Sequence, residues 1–311
     1  MSRHRASIGI AWVGMCLIWS STWMVIKVGL RQAPPLTGVA LRFFVAALLV
    51  LGIVAVGRLR LPRTRHFRLY GAFLGVCQLA VPYVCVYWAE QRISSGLTAV
   101  LYSSMPLVVA VLARLMIGAP LTRSKLLGIG IGMLGVWVIF ADSLSAHGGH
   151  GGLGVAAVLA SVLFASFASV MAKKHGTSYH PLSALLLPFG IAGGLVLIPA
   201  AAFEHSNPVG YDGVTWASIL YLAALGSVTA FSLFYWVIRH VDVTLVTYQT
   251  FVIPVLAVLL GWVFLGEMLS ARIGVGAAFV LLGVAVATLR LPLPRRSSGA
   301  VRLPDADRAA G

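Results

Sequence analysis

Ten long apolar runs divide this chain, and they leave little choice of fold. They cover residues 8–26, 36–56, 70–89, 97–117, 124–141, 153–172, 182–203, 214–238, 243–265 and 273–289. A helix that crosses a bilayer needs about 20 mostly apolar residues. Membrane barrel strands instead alternate with period two over roughly ten residues, and these runs are continuous. The loops are too short to hold a soluble domain. Of the 311 residues, 59% are hydrophobic and 10% charged, where a soluble protein carries about 25% charged residues. The expected fold is an all-α polytopic membrane protein with ten transmembrane helices. Cys16, Cys77 and Cys85 fall inside apolar runs, which excludes a disulfide scaffold. The first run is not read as a signal peptide. It ends at Lys27 and lacks a small-x-small cleavage site.

The net charge of +15 would point to nucleic acid in a soluble protein. Here the basic residues sit in the breaks between runs, so no nucleic-acid partner is expected. With the N-terminus inside, 18 of the 23 Lys and Arg fall on the inner side. Lys27, Arg31, Arg92 and Arg272 fall outside, and Arg42 lies within the second span. This bias is the positive-inside signal. It places both termini in the cytoplasm and requires an even number of spans.

The chain also repeats itself. A shift of 148 residues brings Tyr87-Trp88 onto Tyr235-Trp236, Pro106 onto Pro254, Gly118 onto Gly266, Gly128 onto Gly276 and Leu134-Gly135-Val136 onto Leu282-Gly283-Val284. Upstream, a shift of 146 brings Pro35-Leu36 onto Pro181-Leu182 and Phe43 onto Phe189. The chain is two copies of a five-helix unit, 8–141 and 153–290, joined by a linker at 142–152. Residues 291–311 read as a disordered cytoplasmic tail. Five is odd, so the second copy enters the membrane from the opposite side. Such inverted repeats allow alternating access, with substrate near the midplane between the copies.

The same residues carry a family resemblance. Trp19-Ser20-Ser21 with Lys27, followed by Pro35 and Arg42-Phe43, resembles the start of an EamA domain. Gly266-Glu267-Met268-Leu269, with Gly276 and Leu282-Gly283-Val284, resembles the end of one. Two such domains of five helices form the architecture of the drug/metabolite transporter superfamily. The resemblance implies export of small metabolites or drugs, such as amino acids and their derivatives. Two landmarks depart from the pattern: Gly118-Ala119 stands where Gly-Glu is expected, and Pro188 where the first copy has Arg42. Neither charge is therefore needed twice.

The polar residues narrow the chemistry. No Asp, Glu or His falls near the middle of a run. A carboxylate-bound divalent cation, an aspartyl protease and a Ser/His hydrolase therefore lack their groups. No catalytic residue, metal site or cofactor is expected, and His147 and His150 read as part of the linker. Arg42 lies roughly 10 Å from the outer end of its span, at ~1.5 Å per residue. A guanidinium in a helix centre costs about 2.5–3.5 kcal/mol. It reads either as a gating or anion-recognising charge or as one that snorkels or bonds neighbouring carbonyls. Pro106 and Pro254 each free the carbonyl four residues back, at Tyr102 and Thr250. The expected substrate-binding residues are Trp19, Gln78, Tyr102, Ser103, Tyr248 and Gln249, with Pro106 and Pro254 conformational. Such a cavity suits amphipathic or zwitterionic molecules. Glu267, at the outer end of the ninth span, is expected to satisfy backbone or Arg272 there. Energy coupling is left open between exchange and a role for Glu90.

The reading is a secondary exporter of the cytoplasmic membrane, with a channel or a non-transporting membrane enzyme or scaffold as the alternative. Its partners are a small-molecule substrate and the lipid bilayer, and a homodimer is compatible with the sequence. One outcome tests the topology. Single cysteines placed in 142–151 should react with an impermeant maleimide from outside the cell, and labelling only from the cytoplasm would overturn the inverted repeat.

Overall fold

The computed structural model describes residues 2–59, 61, 64–146, 150–175, 181–237, 240 and 243–288. Those residues form helices and short turns, with no strand among them. The helices are α1 (Ser2–Gly29), α2 (Pro35–Val56), α3 (Arg65–Glu90), α4 (Ser95–Ile117), α5 (Arg123–Ala146), α6 (His150–His175), α7 (Pro181–Phe203), α8 (residues 213–237), α9 (Val243–Leu265) and α10 (Ala271–Thr288). Nine segments are long and apolar enough to cross a membrane among the described residues. In α9 the fully described part, Gln249–Leu265, is apolar but shorter. The chain is thus a multi-pass helical membrane protein, and the count of ten rests on α9 as a whole. His147 and the tail 291–311 lie outside the described residues.

Polar side chains set the helix ends, because the first N–H groups have no partner inside a helix. Thr64, Ser94 and Asp212 accept from Phe67, Leu97 and Thr215 N–H at 3.1, 3.2 and 2.7 Å. The Thr215 bonds hold the Asp212 carboxyl below its ordinary range. Gly118 and Gly266 end α4 and α9 in the left-handed region, at φ 67° and 66°, where a Cβ is penalised. These two glycines are equivalent under the 148-residue shift.

The two copies pack on each other in an antiparallel, self-complementary way. A Cβ on Gly135 would meet the Gly276 carbonyl at 2.5 Å, and one on Gly283 would meet that of Gly128 at 2.5 Å. Gly128 corresponds to Gly276 and Gly135 to Gly283, so the equivalence turns each of the two contacts into the other. A two-fold relation produces that pattern. Small residues let α5 and α10 approach backbone to backbone, as apolar helices must when lipid supplies no hydrophobic drive. The α2–α7 pair repeats the theme, with Phe43 stacked on its equivalent Phe189 at 5.7 Å and 19°.

A second symmetric feature is irregular. Both α3 and α8 contain a π-helical turn, at Gly75–Ala80 and Leu222–Thr229. The 148-residue shift lays the first inside the second. Ser227 and Thr229 hydroxyls donate to carbonyls five residues back, Leu222 and Ala224, at 3.0 and 2.9 Å. π turns are rare and concentrate at functional sites.

The prolines behave unequally. α4 breaks at Ser103-Ser104, just before Pro106, whereas α9 runs unbroken through Pro254. The equivalent disruption expected at both prolines is therefore seen in one copy. The difference lies in the residues before each proline. Ser103 and Ser104 hydroxyls donate to Val100 and Leu101 carbonyls at 2.6 and 2.7 Å, which gives the backbone an alternative to the helix. The corresponding residues in α9, Phe251 and Val252, have no such group.

The glycine contact yields a test. Gly135→Leu should destabilise the protein by about 1–3 kcal/mol through overpacking. Gly130→Ala, where a Cβ meets nothing within 4 Å, should be neutral. Thermal melting in detergent, followed by size-exclusion chromatography, measures both. Equal melting of the two variants would contradict the packing.

Candidate functional site

Aromatic rings from both copies meet between the helices. Trp19 of α1 contacts Phe231 and Phe234 of α8 at 5.7 and 5.6 Å. One turn along α1, Trp23 contacts Tyr102 of α4 at 5.4 Å. Phe43 meets Tyr83 edge-on at 4.9 Å, and Phe189 meets Phe231 at 6.1 Å. Six helices thus supply a band of ring faces and edges, which attract cations and aromatic groups. Trp19 and Tyr102, both expected at the site, border it at successive turns.

Trp23 Nε1 and Gln249 Oε1 are buried with no hydrogen-bond partner among the described residues. Ser21 Oγ and Tyr221 Oη bond each other at 2.7 Å, linking α1 to α8. Ser103 is buried, and its hydroxyl is used on Val100. Gln78 is half-buried in the α3 π turn. The Tyr248 side chain lies outside the described residues.

Arg42 is 1% exposed, so it does not snorkel into water. Its Nε donates to Ser227 Oγ at 3.0 Å. Its guanidinium carbon lies 4.6 Å from the centre of the Tyr83 ring, and Nη1 has no partner among the described residues. The first copy's charge thus rests on the second copy's π turn. Gly226 makes the room, since a Cβ there would lie 3.3 Å from Arg42 Nη2. Neither π turn was expected from the sequence. The signal available was weak: paired hydroxyls in Ser227-Val-Thr229, and one glycine in each segment, Gly75 and Gly226, at positions that are not equivalent.

At the end of the bundle that the charge bias places outside, two carboxylates join the copies. Glu267, at the end of α9, accepts from Ser95 N and Oγ at 2.9 and 2.7 Å and from Gly96 N at 3.3 Å. Glu204, just after α7, accepts from Leu36 N, Thr37 N and Thr37 Oγ1 at 2.8, 2.7 and 2.7 Å. Each one closes the N-terminus of the helix equivalent to its own, α4 and α2. Carboxylates are favoured there by the helix dipole and by the free N–H groups. The backbone that Glu267 serves is therefore that of α4, across the interface between the copies. Glu90, at the end of α3, is a third acid at this end. Among the described residues, no three His, Cys, Asp or Glu come together as a metal site.

Comparison with known proteins agrees with this architecture. The model of the EamA-like transporter family matches residues 7–141 and 152–289. The uncharacterized inner membrane transporter YedA of Escherichia coli (strain K12) is 30% identical over 283 residues, covering 88% of each chain. The uncharacterized transporter YoaV of Bacillus subtilis (strain 168) is 26% identical, over 90% of this chain and 95% of its own. An S-adenosylmethionine/S-adenosylhomocysteine transporter of Chlamydia trachomatis serovar L2 is 27% identical, over 86% and 84%. One solved crystal structure shares the fold, with TM-score 0.62 and 19% identity, over 91% of this chain and 97% of that one.

The carboxylate caps generate a prediction. Glu267→Gln keeps the shape but replaces one oxygen with a donor and removes the charge. It should lower the melting temperature or the amount of folded protein more than it changes ligand affinity. A cap is worth about 0.5–2 kcal/mol. Normal yield and melting with abolished transport would instead put Glu267 in the transport site.

Proposed function

Since the chain belongs to the EamA-like transporter family, we propose that it exports a small amphipathic or zwitterionic metabolite, such as an amino acid or its derivative, or an amphipathic drug. The route is alternating access across the cytoplasmic membrane, with both termini inside. The copies 8–141 and 153–290 act as the two moving halves, with 142–152 as the linker. One observation carries this reading. Trp19 of the first copy and Phe231 and Phe234 of the second form a single aromatic cluster, and Trp23 Nε1, one turn along α1, is buried with no hydrogen-bond partner among the described residues. An unpaired buried polar atom costs about 1–3 kcal/mol, and a polar ligand offsets that cost.

The proposed contacts are Trp19, Trp23, Tyr102 and Gln249, with Gln78 and Tyr248 completing the set and Arg42 at its edge. Ring faces accept the cationic or aromatic part of the substrate, and the amide and indole N–H orient its polar part. The S-adenosylmethionine/S-adenosylhomocysteine transporter among the relatives makes S-adenosylmethionine, an amino-acid derivative with a cationic sulfur and an adenine ring, a rational first probe. The Ser103-Ser104 break and Pro106 give α4 a joint. Pro254 gives α9 the corresponding weak point, because it too lacks an N–H.

Counterflow of radiolabelled S-adenosylmethionine and a panel of amino-acid derivatives into proteoliposomes tests this. Saturable counterflow is expected, whereas a channel would show none. Trp19→Ala or Tyr102→Ala should weaken apparent affinity by about two- to tenfold each, as a lost aromatic contact of about 0.5–1.5 kcal/mol implies. Pro106→Ala should slow exchange with affinity less changed. Wild-type rate and affinity in all three variants would move the site elsewhere.

A further inference from the structure

Three acids lie at the same end of the bundle, and they are not treated alike. The carboxylates of Glu204 and Glu267 each accept three bonds. Glu90, at the end of α3, is 0% exposed, and neither of its carboxylate oxygens has a partner among the described residues. An ionised carboxylate removed from water without donors carries a penalty of several kcal/mol. An acid kept only for structure would be bonded as its two neighbours are. The position is also not demanded by the fold, because its equivalent in the second copy is Ile238.

The surroundings are charged on several sides. From α1, Lys27 donates through Nζ to the Glu90 carbonyl, and to that of Ile93 at 2.8 Å. Its ammonium is thus held beside Glu90 by the main chain rather than by the carboxylate. Arg42 of α2 and Glu267 of α9 also act on Glu90 through space. On α3 itself, Tyr87 lies one turn back, its buried hydroxyl facing the Arg42 guanidinium, and Arg92 beyond the helix end donates to Trp88 O at 2.8 Å. From α6, Gly154 packs on Ala89 and Arg92. Lys27 joins the end of α3 to α1, and α1 in turn carries Trp19 and Trp23 in the aromatic band.

We infer that Glu90 is a proton-binding site that couples transport to the proton gradient. A proton from the outside adds to one carboxylate oxygen, making an O–H bond and a neutral acid. In the other conformation that O–H bond breaks, the proton leaves to the cytoplasm, and substrate leaves in the opposite direction. No electron transfer and no co-reactant are involved. The use of the site rests on the transport reading above, while its protonation does not.

Infrared difference spectroscopy of the full-length protein in lipid, between acid and alkaline buffers, reads the protonation without any substrate. A carboxylic-acid C=O band that disappears in alkali is expected in the wild type. It should be lost in Glu90→Gln, shifted in frequency in Glu90→Asp, and retained in Glu267→Gln. No pH-dependent band, or one that survives in Glu90→Gln, overturns the proposal. Coupling is read in proteoliposomes with an acidic lumen, using radiolabelled S-adenosylmethionine. Accumulation should approach about tenfold for each pH unit at one-for-one exchange, and Glu90→Gln should lose it while retaining counterflow. Equal accumulation in Glu90→Gln also overturns the proposal. Absence of counterflow in the wild type rejects that substrate alone, and the infrared result then decides the proton site.

Discussion

In hydrocarbon every backbone N–H and C=O must find its partner within the protein, and the rest of this structure depends on that constraint. It makes each apolar run a helix. It also makes each departure from a helix a place where side chains intervene. Ser103 and Ser104 bond back where α4 breaks. Ser227 and Thr229 bond back where α8 widens into its π turn. Glu204 and Glu267 close helix N-termini that would otherwise be left with free N–H groups. The irregular stretches are therefore built features. Two of them, the π turns of α3 and α8, occur at matched positions in both copies.

Symmetry and its loss divide the labour. The close contacts are symmetric: Gly128 with Gly283, Gly135 with Gly276, Phe43 with Phe189. A self-complementary seam can be formed by two copies of one unit packed antiparallel. The charges are asymmetric. Arg42 has Pro188 as its counterpart, Glu267 has Ala119, and Glu90 has Ile238. Charge in a bilayer is costly wherever it is placed, so one copy suffices where one is used. Glu267 and Glu204 both lie on the second copy and reach into the first, and Arg42 lies on the first and reaches into the second. Carboxylates at one end of the bundle and a guanidinium deeper in it thus hold the copies to each other.

Much of the fold was legible because its signals are long. Helix length, basic loops and a gapless 148-residue repeat each average over dozens of residues. The site was legible only in part. Trp19 and Tyr102 were found from their place beside hydroxyls and a proline, and both border the aromatic band. Phe231 and Phe234 were missed, since an aromatic residue in an apolar run looks like any residue facing lipid. Glu90 was placed at the end of its span and left undecided. Whether an end-of-span acid is wet, capped or buried alone depends on which neighbours cover it.

By itself, the sequence determined that the chain spans a membrane as helices in two related units, because hydropathy and repetition are properties of order along the chain. It also determined which copy carries each charge. Only the tertiary structure decided which helix each carboxylate closes, that Arg42 rests on Ser227 and a glycine-opened π turn, and that α4 breaks while α9 does not. Those outcomes turn on distances of a few ångströms between residues up to 185 positions apart. Packing fixes such distances, and no local pattern encodes them.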